Sequence, residues 1–275
     1  MQNQLHSNRQ FKERAGYLSV SGAHLYTVLH EAPDPQARVL LAGPFASERH
    51  NSYLPWVRWA RSLAARNIEV LRYDYRGIGE STGTFEEMTF ADWSEDLRLL
   101  AAWLEERTPH VPMVLHGLGL GAILVGKAFD EGIGQGLLLW SPPANANQAL
   151  RATLMRWVGL EQVFKFGDDQ KSASDYIRQL ENGSALEVDG YCWSGRLWRE
   201  SFHFALPAAL ESEQSAALAY KRPVKIVKLT REAAPLTKGG LVGYDDLKDF
   251  NWLFAPNRDW IAEVAVKAGM GVAYA

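Results

Sequence analysis

The most telling stretch of this chain is Met113-Val114-Leu115-His116-Gly117-Leu118-Gly119-Leu120-Gly121-Ala122. An apolar run of strand character enters a glycine-rich turn, and an apolar stretch of helical character follows. The turn has the G-x-S-x-G frame of a nucleophile elbow, with Gly119 at the serine position. Glycine has no side chain and cannot attack a carbonyl. The rival reading is a dinucleotide loop, G-x-G-x-x-G. That loop follows the first strand of its domain and needs an acidic residue about 20 residues on. Here about three strands come first, and Asp130 and Glu131 arrive too soon.

Working outward from the elbow, strands and helices alternate. Tyr17–Val20 and Ala23–Leu29 read as a hairpin joined at Ser21-Gly22, preceded by a loose polar segment, 1–15. Arg38–Leu41 reads as a buried strand ending at Gly43-Pro44. Residues 52–66 carry Leu54, Val57, Ala60 and Leu63 at helical spacing, and Ile68–Tyr73 is the next strand. Helix 89–106 has a capping box in Thr89 and Asp92 and a stripe of Phe90, Trp93, Leu97, Leu100 and Leu104. Val111–Leu115 is a strand, 120–131 a helix and Gly136–Trp140 a strand. The alternation lapses over 144–220, a segment rich in Trp, Tyr and Phe, and resumes with a strand at Val224–Leu229. Residues 242–268 read as a helix-rich end with a short strand near Phe250–Leu253. The pattern predicts an α/β fold: a mainly parallel twisted sheet with helices on both faces and an inserted cap. The expected divisions are a first core region over residues 1–143, a cap or lid over 144–220, and a C-terminal core region over 221–275.

Bulk properties narrow the function. Length 275 suits one large α/β unit with an insertion, and a net charge of −3 gives no basic footprint for nucleic acid. The single cysteine, Cys192, excludes an internal disulfide. No run of about eighteen apolar residues predicts a membrane span. The polar N-terminus lacks the apolar core of a signal peptide, which predicts a cytoplasmic protein. No cluster has metal-ligand spacing, and no cofactor is expected.

The loop Gly43-Pro44-Phe45-Ala46-Ser47-Glu48-Arg49 leaves the third strand. In the elbow architecture such a loop supplies one oxyanion-hole N–H and the residue after the nucleophile, here Leu120, supplies the other. The expected pocket residues are therefore Phe45, Ala46, Ser47 and Leu120, with Gly117 and Gly121 shaping the turn. Both donors are backbone groups and survive loss of the serine. The loop Asp74-Tyr75-Arg76-Gly77-Ile78-Gly79-Glu80-Ser81 reads as structural, with Asp74, Arg76 and Ser81 satisfying turn groups. A triad needs an acid after the strand at 224 and a histidine beyond it. Glu232 is the carboxylate near that strand end. The histidines stand at 6, 24, 30, 50, 110, 116 and 203, so none follows. Substitutes to weigh are Cys192 with His203, Ser47 with His50, and His116.

With these pieces placed, the chain resembles the α/β-hydrolase superfamily, near its serine aminopeptidase-like (monoglyceride lipase-like) branch. The likeness covers 37–142 and rests on Gly43-Pro44-Phe45, Tyr73–Ser81, Asp92-Trp93-Ser94-Glu95-Asp96-Leu97 and the elbow frame. Gly117–Ala122, Leu138-Leu139-Trp140 and Leu186–Tyr191 resemble the hydrolase-2 type found with exosortase A gene clusters. That group tends to lack the elbow serine and carries an aromatic pair near the usual histidine site, with Phe250-Asn251-Trp252 as the loose counterpart. The resemblance implies a bacterial setting near exopolysaccharide and envelope biosynthesis. The expected function is a non-catalytic member retaining an apolar pocket for a small acyl or glycolipid-like ligand, or for a protein partner. The alternative is a hydrolase or acyltransferase on esters or thioesters, using an unconventional nucleophile or activated water. A structural subunit of a true hydrolase is the third reading, and it predicts an exposed apolar patch.

Overall fold

The computed structural model of the chain describes residues 12–46, 48–164, 171–229 and 250–272. Seven strands make one sheet: β1 (Lys12–Val20), β2 (Ala23–Glu31), β3 (Ala37–Ala42), β4 (Ile68–Tyr73), β5 (Met113–Leu118), β6 (Gly136–Trp140) and β9 (Val224–Val227). Their order is β1-β2-β4-β3-β5-β6-β9. β1, β2 and β4 pair antiparallel, and the remaining pairs are parallel. With the helices described next, this is an α/β-hydrolase fold.

Period-two alternation sends the strand side chains to two cores. Leu40, Leu71, Leu115, Leu137 and Leu139 face α2 (Phe90–Arg107) and α3 (Leu120–Asp130). Val39, Leu41, Val70, Val114, Leu138 and Trp140 face α1 (Glu48–Ala64) and α8 (Asn251–Val272). α2 starts at the expected capping box, with both reciprocal Thr89–Asp92 hydrogen bonds formed.

Several boundaries depart from the sequence expectation, among them the start of β5 at Met113 rather than Val111 and the end of β9 at Val227 rather than Leu229. β1 begins at Lys12, inside the segment expected to be loose. Its polar start is held by charge pairs, Arg14 with Glu31 and Glu13 with Arg61, rather than by apolar burial. α1 begins at Glu48 and buries Trp56, Trp59, Ala60 and Leu63, while Leu54 is exposed. β5 runs to Leu118 because its ladder with β3 continues through Ala42 and Gly117. The strand expected near Phe250–Leu253 is instead the start of α8, whose Leu253, Phe254, Ile261 and Val264 recur at helical spacing. Residues 242–249 lie outside the described residues.

Residues 144–220 hold α4 (Ala146–Phe164), α5 (Ala173–Glu181), a small hairpin of β7 (Leu186–Val188) and β8 (Tyr191–Trp193), α6 (Gly195–Ser201) and α7 (Glu213–Ala219). Their buried Leu150, Leu154, Leu180, Trp193, Trp198 and Leu210 join the core on the α2 and α3 face of the sheet. Among the described residues, no helix is long and apolar enough to cross a membrane.

Candidate functional site

β5 ends and α3 begins at Gly119, whose backbone has φ 57° and ψ −126°. That combination is hard for any residue with a Cβ and easy for glycine. Its N–H donates to the Trp140 carbonyl at 3.0 Å, fixing the turn to β6. The flanking glycines allow close approach. A Cβ on Gly121 would lie 2.4 Å from the Ala42 carbonyl oxygen, and one on Gly117 would lie 2.5 Å from Ala122 Cα. The turn is therefore pressed against the end of β3.

A Cβ on Gly119 would lie 2.9 Å from Glu48 Oε2. The Glu48 carboxylate thus occupies the space beside the turn into which a side chain at 119 would project. Glu48 opens α1. Its N–H donates to the Phe45 carbonyl at 3.1 Å, and its own carbonyl accepts from Ser52 Oγ at 2.9 Å. Burial raises the Glu48 carboxyl above the usual glutamate range, and the charge of Arg156 pulls it back down. Arg156, on α4, also pairs with Asp189 at 3.6 Å.

A narrow cleft lies at this point, with about 10 Å³ of internal space, room for roughly one water. It is lined by Phe45, Ala46, Glu48 and Leu120, with Ala149, Leu150 and Thr153 of α4 and Trp193 of β8. Ala46 has φ 45°, a left-handed conformation uncommon for a residue with a Cβ. The N–H groups of Ala46 and Leu120 find no acceptor among the described residues. They are donors at the mouth of α3, where the helix macrodipole is positive. Ser47 and the His50 side chain, weighed as a pair, lie outside the described residues, as does Glu232.

The remaining candidates are placed elsewhere. His116 points to the opposite core, caged by Trp56, Trp59 and Trp140 at ring distances of 5.1, 6.1 and 4.6 Å. Its Nδ1 bonds the Leu138 carbonyl at 2.8 Å, and burial lowers its pKa to about 3, so the ring is neutral. Cys192 faces acidic neighbours. Burial pushes its thiol up, and a bond to Glu86 with the charge of Glu187 adds to this. That environment suppresses the thiolate a nucleophile needs. In the 74–81 loop, Asp74 accepts from Arg49 Nη2 at 2.7 Å and from the Glu80 N–H at 3.1 Å. Ser81 donates to the Asp74 carbonyl at 2.6 Å and accepts from the Tyr26 N–H at 2.9 Å. Arg76 pairs with the fully buried Asp96 of α2. These bonds tie the loop to β2, α1 and α2. Among the described residues, no group of acidic, histidine or cysteine side chains could hold a metal ion.

Glu48 is the site residue that the sequence pattern does not single out. In the sequence it is one polar residue in the loop after β3. A carboxylate next to the expected oxyanion donors is the signal it offers, but its meeting with Gly119 is made by the fold.

Comparisons with known proteins agree with this architecture. A family model described as serine aminopeptidase, S33, matches residues 49–218. No curated protein matches the chain. Among solved structures, Est1E from Butyrivibrio proteoclasticus, with ferulic acid bound, is 18% identical over 92% of this chain and 99% of its own, at a TM-score of 0.52. Mouse alpha/beta hydrolase domain-containing protein 10 is 15% identical over 91% and 99%, at a TM-score of 0.53. XC6422 from Xanthomonas campestris, described as a serine hydrolase without a lid, is 25% identical over 48% of this chain and 62% of its own, at a TM-score of 0.42.

Proposed function

From the premise that the chain belongs to the serine aminopeptidase, S33, family, we propose that it is a non-catalytic member, a binding protein that keeps the pocket and has given up the serine triad. One observation carries the reading. Gly119 stands where the family's nucleophile would be, and Glu48 Oε2 lies 2.9 Å from the place of its missing Cβ. The site has lost its attacking atom, and a carboxylate has taken the room. The base is missing too, since no histidine follows residue 203.

In this reading 144–220 is the cap over the cleft, and the Ala46 and Leu120 N–H groups remain as carbonyl or anion donors. The likeness of Gly117–Ala122 to the hydrolase-2 type of exosortase A loci supports a bacterial role near envelope or exopolysaccharide biosynthesis. The rival, a hydrolase acting through activated water, would have to use Glu48 as its base.

The test is turnover by the purified protein on a panel of acyl esters, thioesters and aminoacyl amides, beside Glu48→Gln and Cys192→Ala. We expect no turnover above the buffer rate. Turnover that co-purifies with the protein and collapses in either variant overturns the reading and names the working group.

A further inference from the structure

A far larger space lies at the opposite end of the strands from Gly119. It is a groove of about 580 Å³ between α7, the start of β9 and α8, and Gln135, just before β6, also borders it. Ala217, Pro223, Val224, Val264 and Ala268 give it apolar walls. Three cations and one carboxylate share those walls: Lys221, Arg222, Lys267 and Glu213. We propose that this groove binds a small organic phosphate monoester, with its dianionic head drawn to Lys221 and Lys267 and its aryl or short alkyl group on the apolar walls. The site is separate from the Gly119 turn and does not depend on how that turn is read.

Size comes first. A space of several hundred cubic ångströms is on the scale of small-molecule sites, whereas the cleft beside Gly119 holds about one water. Charge comes next. Among the described residues, Lys221 and Lys267 have neither a hydrogen-bond acceptor nor an ion-pair partner. Arg222 is fixed. Its guanidinium donates to the carbonyls of Phe129, Ile133 and Gly134 and lies 3.8 Å from the centre of the Phe129 ring. Those partners are neutral, so they hold the charge in place without cancelling it. Glu213 opposes the cations, but one of its oxygens accepts the Ile226 N–H at 2.7 Å, which anchors it to β9. Tyr220 brings no charge. Burial, and then its bond to Asp130, push its pKa up to about 12, and Asp130 itself does not line the groove. Gln135 is oriented by the Met113 N–H, which donates to its side-chain oxygen at 2.7 Å and leaves the NH2 group as a donor. The walls therefore carry two more positive charges than negative ones, in a chain whose net charge is −3. A phosphate monoester carries close to two negative charges at neutral pH and accepts several hydrogen bonds at once. A carboxylate would match only half of that excess. Two-fold pairing of copies through the same face would set these cations against one another.

The experiment is calorimetric titration of the full chain with 1-naphthyl phosphate at about pH 7.5. The controls are 1-naphthol, which supplies the apolar body alone, and inorganic phosphate, which supplies the charge alone. We expect one site with a dissociation constant on the order of 0.5 mM. Either control should bind about tenfold more weakly or less, and affinity should fall as salt rises. Lys221→Gln combined with Lys267→Gln should weaken binding about tenfold. Glu213→Gln keeps an oxygen for the Ile226 N–H and removes the opposing charge, so it should strengthen binding about threefold. Ala217→Trp, at an exposed position of α7, fills the groove and should abolish binding while the urea midpoint stays unchanged. The proposal is overturned by the absence of saturable binding at about ten times the expected constant, or by equal binding of either control. Unchanged affinity in the double lysine variant or in Ala217→Trp, or weaker binding by Glu213→Gln, overturns it as well.

Discussion

At Gly119 two costs of introducing a serine can be compared. Its Cβ would approach the end of the Glu48 side chain, which can rotate away, so the contact itself is cheap. The backbone at φ 57° and ψ −126° cannot relax so easily. Gly119→Ser should therefore destabilise the fold by about 1–3 kcal/mol in chemical denaturation and leave esterase activity at the buffer rate. His116 gives a second prediction. Its folded pKa of about 3 lies below the unfolded value of 6.5. Protonation thus favours the unfolded chain. The contribution is complete above pH 6.5 and is lost by about 1.4 kcal/mol per pH unit as the pH falls from there toward 3. His30, lowered to about 4, adds a similar acid limb over a narrower window. His116→Phe should remove about one proton's worth of slope from urea unfolding measured between pH 4.5 and 6.5. The glycine-rich turn at Gly117–Gly121 was legible in the sequence because it is a local fact. Glu48 was not, because only the packing of α1 against the β5–α3 turn brings it to Gly119.

The helices differ in how their ends are secured. The start of α2 is closed locally by Thr89 and Asp92, a device written within four residues. Its end is closed from afar. Arg38 Nη1, on β3, donates to the carbonyls of Leu104 at 2.7 Å, Glu105 at 2.9 Å and Thr108 at 2.6 Å. Burial lowers the Arg38 pKa, with Glu105 and Glu69 countering. The two devices should differ in weight. Thr89→Ala is expected to cost about 1 kcal/mol, and Arg38→Met about 2–4 kcal/mol, because it strands a set of charge-assisted bonds. Urea midpoints of the two variants check the order. The capping box was readable in advance, whereas Arg38 read only as the first residue of a strand. The β7–β8 hairpin does have a local signature. Asp189-Gly190, with φ of 50° and 80°, is a two-residue turn of the type that favours Asp-Gly. Its strands are too short for a period to show.

The molecule as a whole has a sheet with a core on each face, and the segment 144–220 shares one of them. Leu150, Leu154, Trp193 and Trp198 pack in the same cluster as Leu40, Leu71 and Leu115. The segment should therefore not melt by itself. We expect tryptophan fluorescence and far-UV circular dichroism to give coincident urea transitions, and the excised 144–220 fragment to lack ordered structure. Two separated transitions would show the segment to be an independent unit. The α/β alternation made the sheet legible through its central strands. The segment 144–220 was legible only as a break in that rhythm, because its short helices answer to the core they join more than to their own periodicity.

At the outer edge of the sheet, β1 pairs on one side only among the described residues. An open row of backbone donors and acceptors can template the addition of foreign strands. The run Lys12-Glu13-Arg14, in which Glu13 pairs with Arg61 and Arg14 with Glu31, puts charge at the start of that edge strand. An incoming strand would have to strip those charges of water and partners before it could pair. The same ion pairs that order the start of β1 thus act as a guard on colloidal behaviour, keeping crowded copies of the chain from extending one another's sheets.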